Sequence, residues 1–362
     1  MQPNNSIFVF ALFVLLYLAG CSMPSKSYRV LTADDITVTA DDFTVTALGG
    51  DADGNVYADA FEAGQIGRTT NQGQTWEVFE VFDSSNTLRP VNDLIVTRTG
   101  ALLAVAGKSP NNPLSVKVSY DQAKSWSPFS QGLPEGDIYR SDFVQGADDI
   151  VYLLIDGRIF FVDDVGSSSG DSSSDDNRWG VLQLPDTSAF AVDVAPAESG
   201  VYIATDNGVK VLTQGAWEPV GRSFPEEEVI AFQASESALA IGTRAGNIYA
   251  YTEEQETWEL VYEDRSGSIN PVRAMVQFED YSFCAGWETG LLVRCFSEAL
   301  EVSIFNIGSQ ISPEDVGSPG VRSFYVDSEE RLFVGLHAGL VHTEDGGSTW
   351  QRTVTHPFEI RR

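Results

Sequence analysis

The sequence predicts an all-β chain folded as a seven-bladed β-propeller of four-stranded antiparallel blades. Three observations lead there: a tryptophan-closed hairpin that recurs along the chain, a spacing of 40 to 50 residues between its copies, and the absence of helical periodicity. Short β-rich runs punctuated by Gly and Asp fill each interval, and no apolar i, i+3, i+4, i+7 stripe persists long enough for a substantial helix. A repeat of that length carrying several short strands is one blade of a radially repeated sheet.

The hairpin is most complete at Thr343, Asp345, Gly347, Thr349 and Trp350. Thr69, Asn71, Gly73, Thr75 and Trp76 repeat it with Asn for Asp, and Ser119, Asp121, Ser125 and Trp126 repeat it with Ala123 for the glycine. The Asp or Asn side chain can accept from backbone N–H groups just ahead of it, the glycine supplies positive φ, and the Trp opens the next strand. Nothing in that set is a nucleophile, so it reads as structural.

Trp179, Trp217 and Trp258 hold the same strand-opening place after degenerate turns. From Trp76 the steps are 50, 53, 38 and 41 residues, then 92 to Trp350, which is two repeats. The skipped copy runs from Pro271 to Asn306, its Trp replaced near Val302, and brings the count to seven. Each copy begins with an apolar inner strand: Phe43 onward, Val91, Tyr139, Phe190, Val229, Val272 and Val321. Residues 165–177, rich in Ser, Gly and Asp, interrupt the third copy as a flexible loop insertion. Ile36 to Ala40 either lends a strand to the last blade or lies outside seven self-sufficient blades. The propeller is thus expected over residues 36–362.

Ahead of it, Met1 to Gly20 contains no charged side chain, and its apolar run Ile7 to Leu18 is too short to span a bilayer comfortably. Residues 1–20 therefore read as a secretory signal peptide, although the n-region lacks a basic residue. Leu18, Ala19, Gly20 and Cys21 follow directly and resemble the bacterial lipoprotein processing box, which implies cleavage before Cys21 and its lipidation. Several acyl chains on one Cys anchor a protein stably. Ser22 resembles the outer-membrane sorting class, and residues 21–35 form the lipidated Cys and tether. The expected address is the bacterial cell envelope, lipid-anchored and facing the periplasm from the outer membrane.

Cleavage removes no charge, so the mature chain keeps the formal −30. Such a surface repels nucleic acid and anionic headgroups, and excludes a nucleic-acid partner; it also serves simply to keep a secreted domain soluble. Cys284 and Cys295 flank Trp287 to Gly290; a hairpin near Glu288 and Thr289 with its midpoint at 289.5 would set them opposite each other and allow a cross-strand disulfide. The other reading is two buried free thiols on neighbouring strands. Asp171, Asp175 and Asp176 lack the register of a Ca²⁺ loop, and His337, His342 and His356 lack zinc-ligand spacing, so no metal or cofactor is expected.

The tryptophan hairpins resemble the Asp-box (BNR-type) repeat, Ser/Thr-x-Asp-x-Gly-x-Thr-Trp. Together with the phrases Gly200 to Gly208 and Gly339 to Trp350, they look like the seven-bladed propellers related to the photosystem II assembly factor, and more distantly like sialidases and sortilin-type receptors. The motif is a scaffold shared by enzymes and non-enzymes. Sialidase activity would require an arginine cluster, a Tyr nucleophile paired with Glu, and an acid/base carboxylate; the family's Arg-Ile-Pro marker is absent, with Leu88, Arg89 and Pro90 the nearest text. Arg140, Arg273 and Arg322 each lie one or two residues into an inner strand, where a propeller's channel opens, and Asn92 and Asp93 occupy the like place in the second repeat. They are either a polar axial pocket or local partners of acidic turns. The expected function is a non-catalytic binding or assembly module for an envelope protein; the alternatives are a carbohydrate-active enzyme with an axial site, and a receptor for a small ligand or cation in the channel.

Overall fold

The structure is a computed structural model. It describes residues 28–31, 36–37 and 45–352, except 60–63, 74, 83–90, 108–113, 136–139, 147, 164, 166–177, 186–189, 198, 207, 235–237, 253–255, 279–281, 296–301, 307–319, 337–338, 346 and 348. The described residues form seven sheets, each built on four consecutive antiparallel strands. Blade 1 comprises Leu48–Gly50, Val56–Asp59, Gln65–Thr69 and Glu77–Glu80. The inner strands of blades 2 to 7 are Val91–Val96, Ser141–Gln145, Ala191–Ala197, Val229–Ala234, Val272–Gln277 and Val321–Val326. Each predicted strand-opening Trp lies at or beside the start of an outer strand, and Val302 opens the outer strand of blade 6, where the sequence lacks one.

Second strands such as Leu102–Ala106, Val151–Ile155 and Leu332–Leu336 are buried at every position, because a blade is covered by a neighbour on both faces. Apolar clusters accordingly span adjacent blades: Leu103 and Val116 of blade 2 pack with Leu153, Phe160 and Trp179 of blade 3. Several tryptophans reach back one blade. Trp179 Nε1 donates to Phe129 O at 2.8 Å and Trp217 Nε1 to Gln183 O at 2.9 Å, whereas Trp126 folds on its own turn, donating to Ala123 O at 3.0 Å.

The ring closes between two complete blades. Val45 N donates to Leu336 O at 2.9 Å, Ser323 Oγ to Val45 O at 3.2 Å, and Leu48 and Val56 pack with Phe333 and Leu340. Gly50 is required here, since a Cβ would lie 2.2 Å from the Tyr325 hydroxyl of blade 7. Outside that joint, Ile36–Thr37 pairs in parallel with the outer strand of blade 7, and Tyr28–Leu31 pairs in parallel with the outer strand of blade 6. Blades are thus self-sufficient, and the segment ahead of blade 1 adds a fifth strand to two of them.

The predicted disulfide is corrected. Cys284 is a free, buried thiol, and its cross-strand partner is Arg294, while Cys295 pairs with Phe283. The hairpin loop holds three residues rather than two: Gly290 adopts φ 76° and donates to Trp287 O at 3.0 Å, which slips the register by one. Burial pushes the Cys284 thiol up to about 12, against the opposing pull of Arg294. Residues 1–20, Cys21, the insertion beyond Val165, His337 and His356 lie outside the described residues.

Candidate functional site: the axial cavity

Inner strands in blades 2, 4, 5, 6 and 7 begin with a β-bulge: the ladder skips between Val91 and Asp93, Ala191 and Asp193, Val229 and Ala231, Val272 and Ala274, and Val321 and Ser323. A bulge inserts one unpaired residue and re-aims its side chain. The inserted residues are Asn92, Val192, Ile230, Arg273 and Arg322, and four of these five line a cavity on the axis. The cavity measures about 390 Å³ and is also lined by Asp93, Arg140, Asp142 and Arg244. It shares Asp93, Arg140, Asp142, Arg273 and Arg322 with a second of about 360 Å³, which adds Asp193. All five residues singled out from the sequence therefore meet in one place.

Two charge zones result. On one side, Glu288 bridges two arginines, accepting from Arg273 Nε at 2.6 Å and from an Arg322 amino group at 2.8 Å. Burial draws the Arg322 guanidinium below its usual range; Glu288 opposes that shift and Arg273 adds to it. Glu288 comes from the three-residue turn that displaced the cysteine register. Arg244, from a turn of blade 5, takes Glu228 in a two-pronged pair, both contacts at 2.6 Å.

On the other side lie carboxylates that pin blades together. Asp93 accepts from its neighbour Leu94 N at 2.8 Å and from Phe143 N in blade 3; Asp193 does the same with Val194 N at 2.8 Å and Phe232 N, in blade 5, at 2.9 Å. In blade 1 the carboxylate arrives from the second strand instead: Asp59 accepts from Thr46 N at 2.8 Å, Thr46 Oγ1 at 2.6 Å and Ala47 N at 3.1 Å. Burial pushes Asp59 up to about 6, against these hydrogen bonds, and Asp193 up to about 7, with Asp142 adding to the rise. Asp93 is raised by burial and by Asp142, and Asp142 by burial against Arg140, so the touching pair retains a proton above the usual carboxylate range.

Sequence reasoning missed Asp142, Asp193, Arg244 and Glu288. A signal existed for two of them, because Asp93-Leu94, Asp142-Phe143 and Asp193-Val194 place an Asp before an apolar residue at the same point of each inner strand. Arg244 and Glu288 come from turns between the second and third strands, whose distance from the axis leaves no sequence mark.

The tryptophan hairpins stand apart from the axis, between third and outer strands. Thr343 Oγ1 accepts from Gly347 N at 2.9 Å, while Asp345 accepts from Thr349 N and Thr349 Oγ1, each at 2.7 Å. Thr69, Asn71, Gly73 and Thr75 make the matching set, as do Ser119, Asp121 and Ser125. Ala123 holds the left-handed φ of 73° without a glycine's freedom. Among the described residues, no group of three or more His, Cys, Asp or Glu is arranged to hold a metal ion.

No protein-family model and no curated protein matches the sequence. Solved structures do share the fold. YCF48 bound to a D1 peptide aligns with a TM-score of 0.61 at 14% identity, covering 87% of this chain and 98% of that one. A streptogramin B lyase aligns at 0.60 and 12%, covering 84% and 94%. PorZ, a surface component of the type-IX secretion system of Porphyromonas gingivalis, aligns at 0.58 and 12%, covering 88% of this chain and 39% of that one. A lyase, a peptide-bound protein and a secretion component thus stand on this propeller, and the chain is similar to all three in architecture.

Proposed function

We propose that this protein is a non-catalytic propeller of the bacterial envelope, anchored through Cys21 at the outer membrane and binding a protein partner. The observation that carries the reading is the commitment of the axial groups. The carboxylates of Asp93 and Asp193 are engaged by main-chain amides, and Arg244, Arg273 and Arg322 by internal glutamates, so they serve as architecture and recognition rather than as acid, base or nucleophile. A Tyr–Glu pair of the kind a sialidase uses does exist, with Tyr249 donating to Glu227 at 2.6 Å, but neither residue is among those lining the cavity. The fold of a protein solved with a bound peptide, and that of a secretion-system surface component, support both the binding role and the address.

The test is in-membrane crosslinking of the full chain followed by mass spectrometry. One stoichiometric partner, lost when exposed charges around the axial mouth are reversed, is the expected result. Turnover of fluorogenic sialosides or glycans that disappears in Arg273→Ala would replace this reading with the carbohydrate-active one. For the anchor, Cys21→Ser should release the protein from membranes, and unchanged fractionation would count against lipidation.

A further inference from the structure

The two zones of the axial cavity differ in how fully their charges are spent. Arg273 and Arg322 share Glu288, and Arg244 is held by Glu228. Both oxygens of Asp93 and of Asp193 accept main-chain amides. Arg140 and Asp142 remain. Arg140 is exposed; among the described residues its side chain has no direct ion pair, its charge acts on Asp142 and Asp193, and its backbone N–H donates to the Asp156 carboxylate at 2.9 Å. Asp142 is half-buried, faces the Asp93 carboxyl, and accepts no main-chain amide among the described residues. Both line the cavity, two positions apart on blade 3.

Arg140 and the proton-sharing Asp142–Asp93 pair, held in one cavity without a direct ion pair between them, select against simple ions. A lone anion drawn to Arg140 meets Asp142 beside it, and a lone cation at Asp142 meets Arg140. A molecule that carries both charges satisfies both residues, and a bidentate carboxylate suits the guanidinium fork. The volume, about 390 Å³, lies within the range of small-ligand sites, roughly 300–1,000 Å³.

We propose that the axial cavity binds a small zwitterion, an amino acid or short peptide, with its carboxylate toward Arg140 and its ammonium toward Asp142. Ile230 and Pro271, also in the lining, give its side chain an apolar wall. This site stands independently of any protein partner, so either can fail without the other.

Titration calorimetry on the full chain tests it, with alanine, lysine, glycylglycine and trialanine as zwitterions, and propionate, ethylamine and inorganic phosphate as single-charge controls. At least one zwitterion should bind ten-fold or more tightly than every control, and the preferred length distinguishes a free amino acid from a peptide. Arg140→Gln and Asp142→Asn should each weaken that binding ten-fold or more without lowering the melting temperature, since the first is exposed and the second removes a carboxylate that crowds Asp93. Propionate or phosphate binding as tightly as the best zwitterion, affinity unchanged in Asp142→Asn, or no zwitterion binding at millimolar concentration would each overturn the proposal.

Discussion

At the scale of single residues, the hairpin glycine and the buried carboxylates make the sharpest demands. Gly347 has φ 93°, and a Cβ there would lie 2.7 Å from the Phe305 ring of blade 6, which stacks edge-on against Trp350. Left-handed backbone costs an L-residue about 1–2 kcal/mol before any clash. Gly347→Ala should therefore destabilise by about 2–3 kcal/mol in urea unfolding, whereas Asp345→Asn should cost under about 1 kcal/mol, as Asn71 already fills that role in blade 1. The carboxylates set a pH dependence. Asp193 and Asp59 titrate higher folded than unfolded, so the folded state binds protons more tightly, and their contribution is full below the unfolded value and lost as pH rises through about 6 to 7. Melting temperature should fall from pH 5 to pH 8, with a shallower slope in Asp193→Asn; an unchanged slope would show that general charge repulsion dominates. Arg273 and Arg322 were legible because each lies one or two residues into an inner strand, where the channel opens; the bulge that aims them there appears only in the strand register. Asp142 and Asp193 went unread although their Asp-apolar pattern repeats, because an acidic residue in an acid-rich chain carries little contrast.

At the scale of the element, the blade 6 hairpin shows where sequence reading stops. The residues between Cys284 and Cys295 allow a two-residue or a three-residue loop, and only the backbone of Gly290 decides between them. That choice leaves Cys284 opposite Arg294, whose guanidinium lies 4.0 Å from the centroid of the Phe278 ring and donates to Ser282 Oγ at 3.1 Å. Cys284 should accordingly resist alkylation in the native protein and react on unfolding without any reductant, as peptide mass mapping can read. The same turn presents Glu288 to two arginines. Glu288→Gln should loosen both and lower stability by about 1–2 kcal/mol, part of the ordinary cost of leaving half-buried charge unpaired.

At the scale of the molecule, spacing sufficed to count blades because each Trp opens an outer strand and the interval between outer strands is the blade itself. How the ring closes was not legible: a short strand ahead of blade 1 is compatible with completing blade 7 or merely adding to it, and the two differ only in where the fourth strand of blade 7 comes from. Trp350–Arg352 fills that place, so the leading strands are additions. Removing residues 1–37 should then leave a folded seven-bladed ring whose urea m-value changes little, since that slope follows the surface exposed on unfolding; a collapse of the m-value would mean that the added strands complete the fold. Those two strands also bear on how the proposed Cys21 anchor would hold the molecule. They lie on the outer edges of blades 6 and 7, far from the axis, and Tyr28 is seven residues from Cys21, a reach of at most about 25 Å. Under the Cys21 anchor proposed above, a propeller tethered there would meet the membrane with its rim, like a wheel on a road, and both ends of its central channel would stay open to whatever passes alongside.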